Sequence, residues 1–221
     1  ATLTSLVQHL PKLDLQIQLQ LISIIAIIID NKPYKVPGVP EHLMALNQPS
    51  QPLTGGTTTS SNDDSNPKLI PMALQTLGSF EFHPALLTDL LNNCIVKYLE
   101  DDQVAIREVA VVTCSHLLLP HVRNSPRMGL RAHSAKMVSH VLRKLLQVAI
   151  TDTDNGIRRT VMQSLEPAFD PFLAQSENLA LLFVALNDEL FEIRSLAIAI
   201  VGRSSVHNPA HVVPALRKRL I

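Results

Sequence analysis

The chain has 221 residues and a formal net charge of zero, with 19 Lys plus Arg against 19 Asp plus Glu. That length supports one large or two small domains with a substantial core, and the charge balance supplies no long-range pull towards DNA, RNA or anionic lipid. Hydrophobic residues make up 46% but aromatics only 4%, with no Trp, so the apolar content is mainly Leu, Ile, Val and Ala, which suits helix packing rather than a β-sandwich.

In chain order, Asp14 to Ile29 is the first clear helix, ended by Lys32-Pro33. Its apolar run, Leu19 to Ile29, contains Gln20 and Ser23 and falls short of the about 20 residues a membrane span needs. Val36-Pro37-Gly38-Val39-Pro40 cannot be helical. From Asn47 to Pro67 the composition turns to Gln, Pro, Ser, Thr, Gly, Asn and Asp, too polar to offset its ordering entropy, which predicts a mobile polar insert. Three regions follow: N-terminal helices over 1–46, the insert over 47–67, and a helical array over 68–221.

A short helix over Leu69–Phe80 opens that array. Leu87, Leu90, Leu91, Cys94, Ile95, Tyr98 and Leu99 then form one helical stripe. Ile106, Val109, Ala110, Thr113, Cys114, Leu117 and Leu118 form the next, with Pro120 predicted to end it and His121–Leu130 to form a loop. Further stripes run Val138 to Ala149, Ile157 through Val161 and Leu165 to Phe169, Leu179 to Leu186, and Ile193 to Val201. Asn208-Pro209 starts a last helix. No segment has strand period, so the fold class is all-α.

The pattern Asp-x4-Ile-Arg occurs three times, at Asp101 to Arg107, Asp152 to Arg158 and Asp188 to Arg194. Chance would give this on the order of a few per cent of the time. The arginines lie 51 and 36 residues apart, bracketing the about 40–47 residue period of HEAT repeats. A HEAT-repeat α-solenoid of stacked antiparallel helix pairs is the architecture this predicts. Each Asp falls in the turn before the second helix of a pair, where a carboxylate can accept exposed N–H groups. Each Ile opens a buried stripe, and each Arg can reach a turn carboxylate of its own or the adjoining repeat. The six residues Asp101, Arg107, Asp152, Arg158, Asp188 and Arg194 are thus candidates for a structural ladder; the alternative is that they merely cap solvated helix ends.

The remaining motifs point away from catalysis. His207 and His211 lack the Glu of H-E-x-x-H, and Asn208-Pro209 breaks the helix between them. Cys94, Cys114, His116 and His121 make a zinc tetrad only on paper, since Cys114 and His116, two apart on a helix, face different directions. Both cysteines read as buried small hydrophobes in a reducing compartment. There is no nucleophile elbow or triad, Gly55-Gly56 has no P-loop continuation, and Asp89 and Asn93 have the wrong spacing for a kinase Asp…Asn pair. No catalytic residue, cofactor-binding residue or metal ligand is assigned. The basic clusters Arg143-Lys144, Arg158-Arg159 and Arg217-Lys218-Arg219 have no interleaved aromatics and read as solvated faces rather than a nucleic-acid groove. The opening Ala1-Thr2-Leu3-Thr4 has neither a basic region nor a cleavage motif of a signal peptide. Helical periodicity at both termini suggests a piece of something longer.

Residues 74–82 (LQTLGSFEF), 150–158 (ITDTDNGIR) and 173–194 (LAQSENLALLFVALNDELFEIR) resemble the N-terminal HEAT region of the target of rapamycin (TOR) kinase family. Val201-Gly202-Arg203 to Asn208-Pro209-Ala210, Leu10-Pro11-Lys12-Leu13, and Lys32-Pro33-Tyr34 to Pro37-Gly38-Val39-Pro40 continue the resemblance, which spans the chain apart from the 47–67 insert. It implies part of a large serine/threonine kinase of the phosphatidylinositol-3-kinase-related class, whose ATP and Mg²⁺ sites lie far C-terminal, so none is carried onto this chain. It also implies a cytoplasmic scaffold, peripheral at the lysosome or vacuole membrane as part of its complex. Its partners would be the rest of the kinase, a Raptor-type substrate-recruiting subunit and, in some members, a small GTPase, with no nucleic acid. The rival functions are another HEAT scaffold, such as a transport receptor or phosphatase subunit, and a solenoid binding lipid or nucleic acid through its basic clusters.

Overall fold

The computed structural model describes residues 14–30, 69–123 and 132–217; the 47–67 insert and Val36–Pro40 lie outside them. Ten α-helices occur among the described residues: α1 (Leu15–Asp30), α2 (Leu69–Gly78), α3 (Pro84–Leu90), α4 (Val104–Arg123), α5 (Ala132–Thr151), α6 (Asn155–Ser164), α7 (Asp170–Leu173), α8 (Ser176–Ala185), α9 (Phe191–Ser204) and α10 (Pro209–Arg217). The end of α3 winds on through a π-helical turn, Leu91–Ile95, and a 3₁₀ turn, Val96–Glu100. No strand occurs among these residues.

The helices build an all-α solenoid two layers thick. In one layer α2 packs on α4, α4 on α6 and α6 on α9; in the other α5 packs on α3 and its 3₁₀ extension on one side and on α8 on the other. Hairpin contacts join the layers, α5 to α6 and α8 to α9, while α1 leans on α2 and α10 on α9. Each helix therefore shelters its apolar stripe on sequence neighbours, as repeat architectures do.

Register is visible in burial. Ile106, Ala110 and Cys114 of α4, then Ile157, Val161 and Leu165, then Ile193, Ala197 and Val201 of α9 stand four residues apart, and all are at most 2% exposed. Side chains four apart share a helix face, so these three sets hold equivalent places in successive pairs. Each fully buried Ile, Leu or Val contributes roughly 1.5–3 kcal/mol over remaining exposed.

Three elements depart from the sequence reading. Pro120 does not end its helix: α4 continues to Arg123. The ring removes one N–H and orphans the carbonyl of His116, but His116 is exposed and Val122 beyond it is buried, so packing outweighs the loss. Of the loop expected over His121–Leu130, residues 121–123 belong to α4, and the remainder lies outside the described residues. The stripe Ile157 to Phe169 is not one helix. Glu166 precedes Pro167 and is driven to extended backbone, φ −68° and ψ 160°, so α6 stops at Ser164 and Phe169 belongs to a separate 3₁₀ turn, Pro167–Phe169. Finally, the stripe Leu87 to Leu99 is buried throughout but repeats every fourth residue, which a pure α-helix rotates by about 40° per step. The π turn, with the Val96 N–H donating to the Leu91 carbonyl, offsets part of that drift.

Candidate inter-repeat ion-pair ladder

The turn before α4, α6 and α9 is built alike in each case. Asp101 Oδ1 accepts from the Gln103 N–H at 2.9 Å, Asp152 Oδ1 from the Asp154 N–H at 2.8 Å, and Asp188 Oδ1 from the Leu190 N–H at 2.9 Å. The carboxylate thus bonds an amide two residues on, just outside the helix, as Asp does in tight turns. It does not reach the first helical amides; for α6 that role falls to Asp154, whose Oδ1 accepts from the Ile157 N–H at 3.1 Å.

Six residues past each Asp, the first helical turn has brought Arg back over the turn it left. Nη1 of Arg107 donates to the carbonyls of Asp101 and Asp102 at 2.9 and 3.2 Å, Nη1 of Arg158 to Asp152 at 3.0 Å, and Nη1 of Arg194 to Asp188 and Glu189 at 2.8 Å each. The other edge of the guanidinium faces the following pair. Arg107 holds Asp152 bidentately through Nε at 2.8 Å and Nη2 at 3.0 Å. Arg158 holds Asp188 the same way at 2.9 and 3.2 Å and adds Glu189 at 3.0 Å. Fork-to-carboxylate pairing is the strongest and most directional form of ion pair, and only Arg has the fork. Arg107 and Arg158 each tie two successive turns together, whereas among the described residues Arg194 bonds only to its own.

Both rungs are sheltered, with side-chain exposures of 11% and 6% for Arg107–Asp152 and 8% and 9% for Arg158–Asp188. The hydrogen bond to Asp152 pushes Arg107 above the usual arginine pKa, as that to Asp188 does for Arg158. Burial alone pushes Asp188 up. Its bonds from Arg158 and the Leu190 N–H, with the charges of Arg158 and Arg194, outweigh burial and leave it below the usual Asp value. Burial pushes the Cys114 thiol up to about 12, and both cysteines are buried. Among the described residues no group of three or more His, Cys, Asp or Glu could hold a metal, and no helix is long and apolar enough to cross a membrane.

Several clamps carry no motif. Arg203 grips Asp170 through Nε, at 3.1 and 3.3 Å, and Nη2, at 3.2 Å, and also reaches the Leu165 carbonyl at 2.8 Å. Buried Gln18 accepts from the His83 N–H at 3.0 Å, and Asn208 donates to the Ala174 carbonyl at 2.8 Å. Two of the basic clusters are engaged with acids of other elements: Arg143 pairs with Glu177, Lys144 with Glu100 and Arg159 with Glu192.

This sequence is similar over 99% of its length to the serine/threonine-protein kinase mTor of Drosophila melanogaster, at 36% identity, and to the serine/threonine-protein kinase tor1 of Schizosaccharomyces pombe, at 34%. The chain belongs to the TOR family. Over 74% of its length it is 40% identical to the serine/threonine-protein kinase TOR2 of Saccharomyces cerevisiae. It spans only 8%, 9% and 6% of the lengths of these three TOR proteins. No protein-family profile matches it.

Proposed function

We propose that this chain is a HEAT-type scaffold segment of a TOR-type serine/threonine protein kinase, and that it mediates complex assembly and subunit binding without itself being catalytic. The observation that carries this reading is the pair of sheltered, bidentate rungs, Arg107–Asp152 and Arg158–Asp188, which join successive helix pairs. The rungs fix the rotation between pairs, and the outward surfaces of the helices are left for protein partners. Phosphoryl transfer, with its ATP and Mg²⁺, belongs to another part of the polypeptide. The subunits served are those implied by the family, a Raptor-type substrate-recruiting subunit and a small GTPase, in a cytoplasmic complex peripheral to the lysosome or vacuole membrane. Family membership favours this over a transport receptor or phosphatase subunit, and the acid partners of Arg143, Lys144, Arg158 and Arg159 weigh against a lipid or nucleic-acid groove.

The test uses the full-length kinase in its native complex. Arg107→Ala combined with Arg158→Ala should reduce co-purification of the other protein subunits while phosphorylation of a short peptide by the isolated kinase chain persists. Full assembly with loss of peptide phosphorylation would overturn the proposal.

A further inference from the structure

The two rungs differ by one acid. Besides Asp188, Arg158 holds the next residue, Glu189, whose Oε1 accepts from Nη2 at 3.0 Å. Among the described residues Arg107 forms an ion pair with Asp152 alone. The residue that follows Asp152, in the register of Glu189, is Thr153, and in the first turn the same place is held by Asp102. The three turns thus read Asp101-Asp102, Asp152-Thr153 and Asp188-Glu189. An acid is missing from the middle one, and a hydroxyl stands in its place.

The surroundings of that hydroxyl suit a charge. Thr153 is exposed and lies in the turn between α5 and α6, outside either helix. It borders an open cleft of about 370 Å³ whose lining includes Arg107 and Lys144. Asp152 and Asp154 flank it in sequence, a charge pattern of the kind that kinases select in their substrates. Both flanking acids are already engaged, Asp152 by Arg107 and Asp154 by the Ile157 N–H. Thr151, the other hydroxyl of this segment, is a poorer acceptor. It is the last residue of α5, and its side chain already donates to the Gln147 carbonyl at 2.8 Å. A phosphate there would also meet the negative end of the helix.

We infer that Thr153 is a phosphorylation site, and that its phosphate plays at Arg107 the part Glu189 plays at Arg158. In the transfer, Thr153 Oγ1 attacks the γ-phosphorus of ATP held by an acid-directed protein kinase. The Oγ1–P bond forms, the bond to the departing ADP oxygen breaks, and the hydroxyl proton passes to the carboxylate base of that kinase. The side chain gains a charge of about −1.5 to −2 and three acceptor oxygens. Nη2 of Arg107 then has a second acceptor, as Nη2 of Arg158 already has, and Lys144 faces the same cleft from α5. The first rung tightens to match the second. Phosphorylation at this turn therefore sets how stiffly the first two turns are joined, whichever subunits the scaffold binds.

The experiment uses the full-length protein, incubated with ATP and casein kinase as the acid-directed enzyme, and reads the tryptic fragment Leu145–Arg158 by mass spectrometry. Phosphate is expected on Thr153, retained in Thr151→Val and lost in Thr153→Val. Thr153→Glu, which copies the acid of the next turn, should slow amide hydrogen exchange over residues 150–158 about two- to fivefold, the effect of one exposed ion pair. Combined with Arg107→Met it should slow nothing. Phosphate on Thr151 alone, or none in the fragment, overturns the inference. So does exchange in Thr153→Glu as fast as in the parent, or slowed equally with Arg107→Met present. Neither readout depends on subunit binding or on the kinase activity of the TOR chain, so its failure is distinguishable from failure of the scaffold reading.

Discussion

The three ladder arginines share a spacing but not a set of partners, and their substitutions should differ accordingly. Arg158→Ala leaves Asp188, 9% exposed, without its bidentate partner, a loss of about 3–5 kcal/mol by the general cost of breaking a buried pair. Arg194→Ala in the same chain removes carbonyl bonds, one ring contact and a charge near Asp188, but no ion pair among the described residues, and should cost about 1–2 kcal/mol. Arg159→Ala, whose partner Glu192 is half exposed, should cost at most about 1 kcal/mol. Urea midpoints for the three variants check this order. Acid supplies a further test. Asp188 titrates below its ordinary value when folded, so the native state binds fewer protons than the unfolded chain, and falling pH favours unfolding. The stability from that pair is present above about pH 4 and is lost as pH drops through the lowered native value. The gap in urea midpoint between the parent and Arg158→Met should narrow below about pH 4, and a gap independent of pH would contradict the assignment. At this scale the sequence was partly legible. Asp-x4-Ile-Arg marked the rungs because the return of Arg to its own turn is local geometry. Which carboxylate the fork takes is not local, and the Arg203–Asp170 clamp, across 33 residues with no repeated pattern, left no trace in the spacing.

Between elements, α2 comes close to α4 at Gly78. A Cβ added at Gly78 would lie 3.3 Å from the Cα of Thr113, and the buried Thr113 hydroxyl donates to the Leu74 carbonyl at 3.0 Å. Two helix backbones cannot easily yield there, so Gly78→Ala should destabilise by about 1 kcal/mol or more through overpacking, despite the helix propensity Ala brings. Phe169, fully buried in the 3₁₀ turn, should cost about 3–5 kcal/mol when cut to Ala. Thermal unfolding of both variants checks these values. Helix existence was readable here because the stripes have period 3.6 and the breakers are local. Helix ends were less so. Proline at 120 and at 167 carries the same local rule, yet α4 passes through one because Val122 is buried beyond it, while α6 stops before the other because Glu166 must be extended. Tertiary packing decides between those outcomes, and it is not written in a window of ten residues.

As a whole, the molecule is a row of helix pairs whose stability is a sum of intrinsic and nearest-neighbour terms. The all-α class and the equivalence of Ile106, Ile157 and Ile193 followed from period and repeat spacing, because a stripe that recurs at fixed intervals can find shelter only on its neighbours. Which outer face meets another protein did not, since no pattern of exposed residues fixes it. The claim on which the account turns is that the rungs couple adjacent pairs energetically and are more than surface charge. A double-mutant cycle on Arg158→Met and Asp188→Asn, read by urea unfolding, tests it most directly. The predicted result is a coupling energy of about 1.5 kcal/mol or more, with the double variant more stable than the sum of its parts implies. Additivity to within about 0.5 kcal/mol would contradict it.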